Sequence, residues 1–169
     1  MLTTQNLIDK VTEAIKKCEQ HMAENKLFGN YDWTKQLKLF LGDAGENEKY
    51  QICASTPEKD FNGEWLYDLV WYRENDKGQL VEVPLVVESE WSRYYKDVKF
   101  DFEKLLLANS QLKLMICSCP EKESEVWINN FQRAIDVCPL VKNGDEYLIA
   151  ILILEGIDAK EFIFRSLAK

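Results

Sequence analysis

Strand-length apolar runs alternate with helix-spaced ones along almost the whole chain, and that alternation is the tightest constraint on its fold. Leu7, Ile8, Val11, Ile15, Cys18 and Met22 recur on one helical face behind Thr3-Thr4, a hydroxyl pair suited to an N-cap. Residues 4–24 therefore read as an amphipathic helix. A second helix is expected from Asp32 through DWTKQLKLFL to Gly42, a residue suited to a helix C-terminus. YQICAST (50–56) reads as a strand stopped by Pro57. WLYDLVWYRE (65–74) and VEVPLVVESEW (81–91) read as a hairpin closed by the turn-forming NDKGQ, with Pro84 near the start of its strand or at an edge. Asp101 is expected to cap the helix FEKLLLANS, ahead of the apolar strand LKLMICSC (112–119) and Pro120. Trp127, Ile128, Phe131, Ala134 and Ile135 give a further helix before Pro139, with Trp127 and Phe131 as core. Asn143-Gly144 turns the chain into the strand YLIAILIL (147–154), and EFIFRSLA (161–168) ends it as a strand or a helix. The order α-α-β-β-β-α-β-α-β-β implies an α/β fold, a mixed sheet flanked by helices.

At 169 residues and 46% hydrophobic, the chain suits one domain, 1–169, with a core of its own. The longest apolar run, YLIAILIL, is too short to span a bilayer, and MLTTQNLIDKV lacks the charged start and apolar block of a leader. A soluble, cytoplasmic protein with no membrane partner is expected. Five cysteines (Cys18, Cys53, Cys117, Cys119 and Cys138) lie mostly inside apolar segments and fit reduced core thiols. A lone C-x-C and a single histidine, His21, argue against a zinc site. The net charge of −8 argues against a surface that grips nucleic acid throughout, and leaves room for a local basic groove.

The chemistry is concentrated in VPLVVESEW, residues 83–91. Side chains alternate along a strand, so Glu88 and Glu90 share one face. An ionised carboxylate in so apolar a segment must be paired, metal-bound or at the solvent edge. Asp68 is expected inside the preceding strand, and one register of the hairpin sets it beside both glutamates. Three such carboxylates, with the backbone carbonyl of Ser89, would suit Mg²⁺ or Mn²⁺.

This pattern resembles the restriction endonuclease-like, or PD-(D/E)XK, nuclease superfamily: an Asp on the second strand, an acidic pair on the third, then a helix and a fourth strand. The resemblance spans about residues 50–119 and implies an α-β-β-β-α-β core, with the N-terminal helices at 4–42 and 120–169 as a C-terminal extension. It implies a divalent-metal-dependent nuclease acting on DNA, with Asp68, Glu88 and Glu90 as metal ligands or base. Tyr67 stands where the family has proline, and Glu90 where it usually has lysine. Lys104, one turn into the next helix, matches the position to which the catalytic lysine has moved in some members. The supporting glutamate that family members often carry on the first helix matches Glu19, which lies nearer the apolar stripe than Glu13.

WSRYYKDVKFDF interleaves Arg93, Lys96 and Lys99 with aromatic residues, as a segment that holds phosphates and stacks on bases would. Two other readings stand beside the nuclease. One is a catalytically silent nuclease-fold subunit that binds or regulates, with a protein partner or a second copy of the chain. The other is an unrelated α/β interaction module.

Overall fold

The computed structural model describes residues 2–156 and 158–169, and divides into two compact units, Met1–Val86 and Val87–Lys169. The first unit opens with α1 (Thr4–Glu24), started where the sequence sets it: the Thr3 hydroxyl accepts a hydrogen bond from the Asn6 amide at 3.2 Å. Such a cap contributes about 1 kcal/mol. Leu7, Val11, Ala14, Ile15, Cys18 and Met22 form its buried stripe.

The second helix, α2 (Asn30–Asn47), does not stop at Gly42 but continues through it. Its two late glycines allow close packing rather than termination. A Cβ at Gly42 would collide with the Phe61 ring, and one at Gly45 would lie 2.5 Å from Ile52 Cδ1 and 2.7 Å from Trp71. The Trp71 indole seals the contact by donating to the Leu41 carbonyl at 3.0 Å.

Three strands follow in this unit: β1 (Gln51–Ser55), the short β2 (Asp60–Phe61) and β3 (Leu69–Glu74), with β1 antiparallel to both of the others. β3 begins at Leu69, so Asp68 lies in the bend before the strand and not within it. β3 pairs with β1 from Leu69, opposite Ala54, onward, while Asp68 meets the Lys38 ammonium of α2 at 3.9 Å. After β3 the turn at 75–79 closes as expected, with Gly78 at φ +70° and the Asn75 side chain accepting from the amides of Lys77 and Gln79.

β4 (Leu80–Glu90) runs from the first unit into the second, and Pro84 is a buried residue in its middle rather than at its start. In the second unit α3 (Tyr95–Leu106) begins well before Asp101, which is an interior helical residue and not a cap. Val98, one turn ahead of Phe102, belongs to the same buried stripe as Leu105 and Leu106, and this stripe draws the helix upstream.

β5 (Leu112–Pro120), α4 (Glu121–Val137) and β6 (Glu146–Glu155) then form a parallel strand pair with a crossover helix. β7 (Asp158–Ala168) is a strand, antiparallel to β6. This unit is thus α/β, a mixed sheet against which α3 and α4 pack. Phe102 and Phe131 join the two helices with ring centroids 4.4 Å apart, and Trp127 is buried as well. No described helix is long and apolar enough to cross a membrane. The cysteines are free thiols, four of them buried, and burial pushes Cys18 and Cys119 up to about 12.

Candidate functional site

Glu88 ends the buried run of β4 and is only 2% exposed. A carboxylate there requires a countercharge, and α3 supplies one. Lys104, in the last turn of that helix, places its Nζ 2.7 Å from Glu88 Oε2 and 3.0 Å from Asp101 Oδ1. The spacing of three residues between Asp101 and Lys104 sets both on one helical face, so the acid that does not cap the helix instead orients its lysine. Burial pulls the Lys104 ammonium down. The hydrogen bonds and charges of Glu88 and Asp101 outweigh that and leave it above the ordinary lysine value. The Lys104 side chain is 39% exposed, so the cluster is a buried carboxylate reached by a cation that still meets solvent.

Glu90 shares its strand with Glu88 but has a different task. Its Oε1 accepts the Ser92 amide at 2.7 Å, while the Ser92 hydroxyl donates to Asp97 Oδ2 at 2.7 Å and accepts the Tyr94 amide at 3.2 Å. These bonds shape the turn that leads into α3. Lys104 stands at the far end of the same helix. Ser89 lies between the two glutamates and is half-buried.

No family model, curated protein or solved structure matches the chain. The residues themselves therefore carry any functional argument.

Arg93, Lys96 and Lys99 are all exposed. Lys99 bonds Glu103 at 3.1 Å, and the Lys96 ammonium lies 5.8 Å from the Tyr94 ring centroid. Beside these cations Tyr94 and Phe100 are each 69% exposed, whereas Trp91 and Phe102 of the same segment are buried.

Asp68 belongs to the first unit, where it meets Lys38 of α2 at 3.9 Å. The same ammonium bonds Glu64 Oε1 at 2.5 Å, and the Lys38 side chain is 11% exposed. Sequence reasoning passed over Lys38 and Glu64. The signal for Lys38 was its position beside Leu37 and ahead of Leu41 and Gly45, on the buried stripe of an amphipathic helix. Glu19, also in the first unit, is half-buried on α1, while Glu13 is exposed and bonds Lys17 at 2.7 Å.

Among the described residues no group of three or more His, Cys, Asp or Glu side chains is gathered as metal ligands. Mg²⁺ needs no such cage: one or two carboxylates with water and substrate phosphate are its usual shell. The donors near Lys104 are all hard oxygens, the type that Mg²⁺ and Mn²⁺ take.

Proposed function

We propose that the chain is a divalent-metal-dependent deoxyribonuclease of the restriction endonuclease-like kind, with Glu88 and Lys104 at its centre. The observation that carries this reading is the 2.7 Å contact between the buried Glu88 carboxylate and a partly exposed lysine from the following helix. The resemblance assigns a ligand and a cation to these two positions. Glu88 and the Ser89 carbonyl are the groups that would hold Mg²⁺ or Mn²⁺, and the ion would supply positive charge against a scissile phosphate.

The chain's own residues account for the rest. Lys104 has three N–H donors, of which Glu88 and Asp101 each take one, and its raised pKa keeps it charged at neutral pH. It would stabilise the charge that develops on a phosphate in the transition state. Asp101 orients the lysine. Arg93, Lys96 and Lys99 would hold the backbone of DNA. Glu90, engaged with Ser92, acts here as a positioning residue more than as a base.

A second reading rests on the closure of the same cluster. Lys104 bonds both Glu88 and Asp101 without an added ion, as a silent nuclease-fold binding subunit would require.

Nicking of supercoiled DNA by the purified chain in Mg²⁺, in Mn²⁺ and in chelator separates the two. The nuclease reading expects metal-dependent nicking that Glu88→Gln abolishes with the fold retained. Nicking that survives Glu88→Gln contradicts the site assignment. A wild type inert in both metals leaves the silent subunit.

A further inference from the structure

Two aromatic rings, Phe100 on α3 and Tyr94 at its N-cap, stand out of the protein where the buried stripe of the helix needs none. Phe100 and Tyr94 are each 69% exposed, and Phe100 carries no polar atom that water would reward. Position on the helix gives the exposure a direction. Phe100 lies four residues before Lys104 and four after Lys96, so all three side chains follow one face of α3. Arg93, ahead of the helix, and Lys99, next to Phe100 in sequence, are exposed as well. The row on that face therefore runs cation, ring, cation, from Lys96 through Phe100 to the ammonium that bonds Glu88.

A surface that only tracked phosphates would need the cations alone. An exposed ring adds affinity when it stacks on the face of a base, and base faces inside a duplex are already covered by their neighbours. Phe100 is about one helical turn, roughly 5–6 Å, from Lys104 along the axis. A base stacked on Phe100 would thus sit next to the phosphate held by Lys104.

We infer that this face of α3 binds single-stranded DNA, with Phe100 and Tyr94 as base-stacking platforms and Arg93, Lys96 and Lys99 on the backbone, so that the substrate is unpaired at the point of cleavage. The inference rests on the nuclease reading for its second clause only; the binding surface stands without it.

Binding is therefore measured apart from cleavage. Fluorescence anisotropy in chelator, at one fixed salt concentration, compares a labelled oligonucleotide, its duplex and the same strand with abasic positions. The wild type is expected to bind the single strand at least about tenfold more tightly than the duplex. Phe100→Ala and the abasic strand are each expected to lose roughly tenfold, within the range for one lost stack, with duplex binding unchanged. Lys96→Ala should weaken both and flatten the salt dependence. Circular dichroism confirms that the exposed substitutions leave the fold intact. Equal affinity for single strand and duplex, or indifference to both Phe100→Ala and abasic positions, overturns the inference. Duplex nicking that is independent of Phe100 would overturn it too while upholding the nuclease reading. Single-strand preference in a chain that never cleaves upholds the surface and overturns only the catalysis.

Discussion

Lys104 and Lys38 are two of the lysines that face a pair of acids, yet their clusters are built inside out from one another. At Lys104 the acid is the buried member: Glu88 is closed off from water, and the ammonium stands at the surface between it and Asp101. At Lys38 the cation is buried, held by an exposed Glu64 and a half-buried Asp68 in the segment that leads into β3. The second arrangement is a clasp, because it ties the segment ahead of β3 to α2 and offers solvent only carboxylates. The first offers solvent a cation backed by a hidden negative charge, which can meet a phosphate. Burial of the acid, not the number of charges, distinguishes a candidate site from a fastening.

The largest stability difference is expected at the first cluster. Lys104→Met strands Glu88 in an apolar place, and breaking a buried pair costs about 3–5 kcal/mol. Because Lys104 is partly solvated, about 2 kcal/mol is expected here, a melting temperature lower by roughly 4–8 °C. The pH dependence carries the same signature. The folded-state pKa of Lys104 is raised, so its contribution is fully present below the unfolded value and lost as pH rises through the folded one. The gap between wild type and Lys104→Met should stay constant from neutral pH to about 10 and close above that. Melting curves over that range check it, and a gap that closes at lower pH breaks the assignment.

A smaller effect is expected at the clasp. Lys38→Met keeps most of the buried stem, and its two acids can turn to water, so the cost should be below about 1 kcal/mol. Urea unfolding of the two variants side by side would sharpen the contrast, and equal losses would erase it.

What the sequence made legible was local. Thr3 and the stripe behind it, the Asn75–Gln79 turn and the apolar run of β5 all follow from periodicity and turn chemistry among near neighbours. Gly42 misleads because a glycine that permits close approach to Phe61 looks, in sequence, like one that ends a helix. Asp101 misleads similarly: directly ahead of FEKLLLANS it resembles a cap, and only the pull of Val98 into the core shows that the helix has already begun. The E-x-E pair was visible as a pair, but its division of labour was not. Alternation gives Glu88 and Glu90 one face, and says nothing of which will meet Lys104 and which will take the amide of Ser92. Nor does alternation show that Glu88 and Asp101 will be bridged by the Lys104 ammonium.

The central claim is that the cation over the buried acid serves chemistry and the buried cation does not. Single-turnover cleavage of DNA in Mn²⁺ by the wild type, Lys104→Met and Lys38→Met tests it most directly. Loss of a group that stabilises transition-state charge typically costs about 10²–10³ in rate. That fall is expected for Lys104→Met, with the wild-type rate kept by Lys38→Met. Equal rates in all three proteins, or a loss confined to Lys38→Met, would contradict the account.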